Sequence, residues 1–380
     1  MMTNRGFLAG SLLLAALLAA CGGDSAADYA KAKQAFAARD YIAARADLNA
    51  VLKAEPDNAQ ALEMMARTMV RLDDGVGAIA MLDRLERLGR LPADHRILRG
   101  DANIFSGRFD QAIAAVEGDQ TAEAWRIRAL ARVGLNQPDK AQAAFAQGET
   151  AAGPKAALQA THARFVLDAG NIDQARQLTA SALDQQADNL VALLVQARIA
   201  GLERQPARAL AIYRQLAKAN PGRIDITFGL IDALGAMRRF DEIEPVLKGA
   251  EQLAPDHPKL LYYKARLAAE RHEWSKVREL LQPKETFLSE MPELQLLYAQ
   301  ALLEIGQVEQ ARAYLSPLLL RAPDNDFVRI LLARSQLAGD DPYAAAETLR
   351  PAAQSAEPDP RIIKLFEAAM RQATAAPARE

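Results

Sequence analysis

The sequence predicts an all-α protein, a right-handed superhelical solenoid of about ten helix–turn–helix units with a C-terminal capping helix. Three observations predict it. The first is a period: Pro292 to Asn325, PELQLLYAQALLEIGQVEQARAYLSPLLLRAPDN, reads as two short amphipathic helices, and units of the same kind start at Ser25, Ala59, Ala93, Ala122, Ala156, Leu190, Ile224, Pro258, Pro292 and Asp326, every interval being 34 residues except one of 29. The second is a pair of small residues in most units. The eighth places are Ala32, Ala66, Gly100, Ala129, Ala163, Ala197, Ile231, Ala265, Ala299 and Ala333; the twentieth are Ala44, Ala78, Ala112, Ala141, Ala175, Ala209, Ile243, Val277, Ala311 and Ala345. Antiparallel helices joined by a tight turn approach closely only where side chains are small. The third is punctuation. Gly306-Gln307 breaks the helical run within the unit, and Ala322-Pro323-Asp324-Asn325 ends it, because proline lacks the N–H and its ring clashes with the preceding turn.

Taken in order, residues 1–20 read as a targeting segment. Arg5 precedes an apolar run from Phe7 to Ala20, short for a bilayer-spanning helix, which needs ~20 apolar residues. The run stops at Leu18-Ala19-Ala20-Cys21, which resembles the lipobox of bacterial lipoproteins. That resemblance implies cleavage before Cys21, lipidation of Cys21 and a membrane anchor, with residues 21–27 as a lipidated tether. Gly22 after Cys21, in place of an aspartate that resembles an inner-membrane retention signal, points to the outer membrane facing the periplasm. Cys21 is the sole cysteine, so no disulfide forms within one chain.

Residues 25–121 hold units one to three. The third is short: Gly118-Asp119 cuts its second helix by about one turn, which makes it the expected seam of the array. Residues 122–358 hold units four to ten in unbroken register. In the seventh, Ile231 and Ile243 replace the small pair, so its helices are expected to stand further apart. In the eighth, Pro283 is expected to end the second helix and leave Thr286 to Met291 as loop. Residues 359–373 form the expected capping helix, and 374–380 an expected disordered tail.

The spacing resembles the tetratricopeptide repeat, whose pattern places Trp, Leu-Gly, Tyr, Ala, an aromatic and Pro along a 34-residue unit. Trp125 stands in the tryptophan place, Phe145 and Tyr213 in the later aromatic place, and Pro56, Pro221, Pro255 and Pro323 in the proline place. Most units lack the Trp and Tyr.

A formal charge of −2, or −3 once Arg5 leaves with the signal segment, argues against nucleic acid as a partner. Catalytic patterns are missing. His95, His162, His257 and His272 are scattered over four units without metal-ligand spacing, and there is no phosphate-binding glycine loop or nucleophile elbow. The sequence therefore reads as a non-enzyme without cofactor or metal.

The family resemblance implies that each first helix lines a concave groove through its second, fifth, ninth and twelfth places. The fifth row is mainly apolar and offers Tyr29, Phe228 and Tyr262; the ninth holds Arg67, Arg164, Arg198, Arg266 and Arg334. Such a row reads either as a groove for an extended acidic and apolar ligand or as a solvated helix face. Arg164 has Asp168, and Arg266 has Glu270, four residues on, so these two are expected to be neutralised and Arg67, Arg198 and Arg334 to be free. None of the ten ninth places is Asn, so the row departs from the subfamily that clamps chaperone C-termini.

These readings converge on a non-enzymatic scaffold that holds protein partners near the outer membrane. The opening, ACGGDSAADYAKAKQAFAARDYIAARADLNAVLKAEPDN, is similar to that of tetratricopeptide lipoproteins of exopolysaccharide export and exosortase-type sorting, which implies a role in envelope assembly or polysaccharide secretion. An adaptor for outer-membrane protein or pilus assembly and a direct polysaccharide binder are the alternatives, the latter needing exposed aromatic faces.

Overall fold

The computed structural model describes residues 25–255, 257–284, 288 and 291–375. The targeting segment and Cys21 lie outside the described residues, as do 376–380. Within them the chain is helical almost throughout, with no strand and one isolated bridge, Thr121 to Ala152.

Ten helix pairs follow one another. The first-in-pair helices are α1 (Ser25–Ala37), α3 (Ala59–Arg71), α5 (His95–Phe105), α7 (Ala122–Gly134), α9 (Ala156–Asp168), α11 (Leu190–Leu202), α13 (Ile224–Ala236), α15 (Pro258–Glu270), α17 (Pro292–Glu304) and α19 (Asp326–Ala338). Their partners are α2 (Tyr41–Ala54), α4 (Gly75–Arg87), α6 (Phe109–Ala115), α8 (Pro138–Thr150), α10 (Ile172–Gln185), α12 (Pro206–Ala219), α14 (Phe240–Leu253), α16 (Trp274–Leu281), α18 (Val308–Arg321) and α20 (Pro342–Ala353). A last helix, α21 (Pro360–Ala375), packs on α20 and α19. Every eighth and twentieth place is buried. Gly100 shows how tight the contact is, since a Cβ there would lie 2.8 Å from Ile127.

The turn inside each pair has one geometry. Its fifteenth place takes a left-handed backbone in all ten pairs, with φ between 54° and 85°, yet only Gly107, Gly170 and Gly306 are glycines. The N–H of the sixteenth place bonds to the carbonyl of the eleventh, as in Asp74 to Met69 and Gln205 to Ala200, and the N–H of the fifteenth to the twelfth, as in Asp73 to Val70. These paired bonds satisfy carbonyls that the end of the first helix leaves orphaned. Helix starts are capped from the side: Asn58, Asp74, Asn189 and Asn325 each accept an N–H three residues on.

Three local expectations are corrected. Ser25 to Ala27 belong to α1 rather than to a flexible tether, and Thr374 and Ala375 to α21, where the Thr374 hydroxyl bonds back to the Met370 carbonyl. In the eighth pair α16 does end before Pro283, but Leu288, expected in a loop, is helical and fully buried against the ninth pair; most of that segment lies outside the described residues. By packing, the chain forms two compact units, one ending at Ala233 and one beginning at Leu234. The division falls in the seventh pair, where Ile231 and Ile243 put bulk at both close-approach places, rather than at the shortened third pair.

Candidate functional site: the inner face of the first helices

Within each compact unit, successive first-in-pair helices touch: α3 with α5, α5 with α7, α7 with α9 and α9 with α11 in the first, α15 with α17 and α17 with α19 in the second. Second-in-pair helices instead reach forward to the next pair's first helix. The closer spacing of the first helices sets the inside of the curve, so their fifth and ninth places line it.

The fifth row is less open than the sequence suggests. Tyr29 is half-buried and Lys33 Nζ lies 5.4 Å from its ring centre. Burial and the charge of Glu63 push the Tyr29 hydroxyl pKa up. Tyr262 is half-buried too; its hydroxyl accepts from Arg266 Nη1 at 3.2 Å and its ring meets Tyr263 edge-on at 5.3 Å. Phe228, expected in the groove, is only 4% exposed and offers no face to a ligand.

In the ninth row the structure reverses the expected pairing. Arg198 Nη2 bonds Asp168 Oδ1 at 2.7 Å, and Arg334 Nη2 bonds Glu304 Oε1 at 3.0 Å. Both partners sit at the end of the preceding first helix, 30 residues upstream. Arg67 bonds Asp94 through two nitrogens at 2.8 Å each and Glu63 at 2.8 Å. Asp168 is thus taken by Arg198, leaving Arg164 with no ion pair among the described residues. Arg266 has its tyrosine but no ion pair among the described residues. The upstream place that serves Arg198 and Arg334 is filled by Gly134 for Arg164 and Ala236 for Arg266. Side-by-side stacking of the first helices, rather than spacing along one helix, decides which arginine is neutralised.

Arg164 is exposed at its surface, yet its surroundings disfavour its charge. Burial of part of the side chain lowers its pKa and the charges of Arg198 and Arg126 add to that, while Asp168 and Asp73 oppose it. Beside it, Arg126 is locked: its side chain is 11% exposed, and it bonds Asp101 at 2.7 and 3.0 Å and Glu123 at 2.7 Å. Arg126 stands in the fifth place, so the ninth-row search passed it over. Asp101, one unit upstream and itself in the ninth place, is the signal that could have found it.

Among the described residues no group of three or more His, Cys, Asp or Glu could hold a metal ion, and no helix is long and apolar enough to cross a membrane. His162 is a core residue, stacked on Phe145 at 4.5 Å and 7°. His272 is exposed at a left-handed turn. Trp125, half-buried, carries the Arg128 guanidinium 4.5 Å above its ring, and Arg128 donates to the carbonyls of Val116 and Asp119. That bond set bridges the shortened third pair to the fourth.

The architecture is that of a helical-repeat solenoid with a charged inner face. The tetratricopeptide-repeat family model matches residues 35–102 and 288–327 of the chain. No curated protein matches the chain. Among solved structures it is similar to one titled the APC/C hetero-tetramer Cut9-Hcn1 (13% identity, 94% of this chain, 98% of that one, TM-score 0.53). It is also similar to a tetratricopeptide repeat protein from Parabacteroides merdae (17% identity, 66% of this chain, 98% of that one, TM-score 0.49). A third is TTC0263, a thermophilic tetratricopeptide protein of Thermus thermophilus (23% identity, 47% of this chain, 97% of that one, TM-score 0.41). Identities this low speak to the fold alone.

Proposed function

We propose that this protein is a non-enzymatic scaffold, held at the periplasmic face of the outer membrane by lipid on Cys21, whose inner face receives protein partners in envelope assembly or exopolysaccharide secretion. One observation carries the binding part. Among the described residues Arg164 and Arg266 stand in the inner row without an ion pair, in an array that supplies one to Arg67, Arg198 and Arg334. A cation with no ion pair of its own favours a carboxylate or backbone carbonyl brought by a ligand. The Leu18-Ala19-Ala20-Cys21 sequence supports the anchor, and the resemblance of the opening residues supports the pathway. The polysaccharide alternative loses support, because Phe228 is buried and Tyr262 is already engaged by Arg266.

Two measurements test the parts separately. Metabolic labelling with a fatty acid should mark the wild-type protein and not Cys21→Ser; an unlabelled wild type would end the anchor reading. Partners cross-linked in cells and co-purified with the full chain should be lost from Arg164→Glu or Arg266→Glu, with circular dichroism unchanged. A partner set indifferent to both substitutions would place recognition elsewhere.

A further inference from the structure

The first compact unit contains two contacts between segments 149 and 152 residues apart. Arg39, at the left-handed tip of the first pair's turn, bonds Asp188 in the loop before α11. One pair further on, Arg223, just ahead of α13, donates Nη1 to the Arg71 carbonyl at 3.4 Å and lies 3.5 Å from Asp73 Oδ2. Asp73 is the left-handed tip of the second pair's turn. The two contacts share a register: each joins a turn tip to the loop in front of the first helix five pairs later. Their polarity alternates, arginine on the tip in one and aspartate on the tip in the other. Asp225 holds the Arg223 guanidinium in place at 2.9 and 3.0 Å.

These contacts join pairs five apart instead of neighbouring pairs. Asp73 keeps half its side chain exposed; burial of the rest raises its carboxyl pKa and Asp225 adds to that, while Arg223 and Arg164 oppose it.

We propose that Arg39–Asp188 and Arg223–Asp73 form a latch that closes the inner groove of the first unit, and that a partner's acidic segment reaches Arg164 only when the latch is released. This rests on the reading of the inner face as the partner surface, and it names how that surface is regulated. The device suits release. Asp188 is 62% and Asp73 50% exposed, and exposed ion pairs are individually weak and screened by salt, so ionic strength or a competing acidic segment opens them readily.

The test uses the full chain with Cys21→Ser, which leaves no native thiol. Spin labels at Ala38→Cys and Ala187→Cys, beside the first contact but not part of it, report the distance across the groove by electron–electron resonance. The latched protein should give one short, narrow distribution. Arg39→Glu with Arg223→Glu, or about 1 M salt, where the Debye length falls to about 3 Å, should broaden and lengthen it. The swap Arg39→Asp with Asp188→Arg should restore it. In parallel, Arg164→Cys should react with a bulky maleimide several-fold faster when the latch residues are reversed, while Asp173→Cys on the outer helix α10 reacts alike in both. A label distance unchanged by charge reversal and salt overturns the latch. So does a widened distance with unchanged reactivity at position 164, since the contacts would then close no groove. An open latch with no partner loss in Arg164→Glu would instead count against the inner face as the binding surface.

Discussion

Two arginines make the same bond in different surroundings, and that comparison gives the sharpest prediction. Arg126 Nη2 to Asp101 Oδ1 and Arg198 Nη2 to Asp168 Oδ1 are both 2.7 Å long. Geometry alone would rank them equal. Exposure does not: the side chains are 11% and 19% exposed in the first pair, 43% and 55% in the second. Removing one member of a buried pair leaves an uncompensated charge and costs about 3–5 kcal/mol, whereas an exposed pair contributes about 0–1 kcal/mol. Arg126→Met strands both Asp101 and Glu123, and since Glu123 keeps 30% exposure the low end applies, about 3 kcal/mol. Asp101→Asn in the same chain should recover part of this, with a coupling of about 1–3 kcal/mol. The assay is urea unfolding of the full chain followed by far-ultraviolet circular dichroism. With a slope of about 1–3 kcal/mol/M, Arg126→Met should lower the midpoint by roughly 1 M or more and Arg198→Met by a few tenths. Equal shifts for the two would refute the argument that burial, not bond length, sets the contribution.

The remaining predictions concern the core, the turns and pH. Ala197, buried at the close-approach place of α11, should not accept Trp: overpacking costs about 1–3 kcal/mol or more, while Trp at Glu309, 75% exposed, should change urea stability by less than about 0.5 kcal/mol. Arg204 holds φ 58° and its side chain makes no hydrogen bond or ion pair among the described residues, so Arg204→Gly should stabilise by about 0.5–1 kcal/mol, read in the same titration. Burial lowers the His162 pKa below its ordinary 6.5, although Glu149 opposes this. The unfolded chain then binds the proton first, so stability should fall as pH drops below about 6.5 and level off once the folded-state value is passed. His162→Phe, preserving the stack on Phe145, should flatten that part of the profile in thermal melts at stepped pH; an unaltered profile would assign the acid sensitivity to other groups.

The fold was legible because its signal repeats. Small residues recur at two places per unit, and all twenty places are buried in the structure. The inner face was legible only in outline. Its arginines could be located, but their neutralisation depends on the adjacent helix. A search along one helix finds Asp168 for Arg164, whereas stacking gives Asp168 to Arg198. A search 30 residues upstream would have found Asp168 for Arg198 and Glu304 for Arg334, and nothing for Arg164 and Arg266. Phe228 misled for a related reason: it sits in the pair where isoleucines fill both close-approach places, and a fifth-place residue there is buried. The left-handed turn position was hidden as well, because seven of its ten occupants are not glycine.

Site-specific photo-cross-linking tests the central claim, that the inner face of the first helices is where partners sit. A photoreactive residue would be placed in cells at Arg164, Arg198, Arg266 and Arg334 on the inner row, and at Asp173 and Glu309 on the second-in-pair helices. The account predicts adducts to protein partners from the inner positions and none from the outer two. Adducts that come equally from both faces, or only from Asp173 and Glu309, would contradict it.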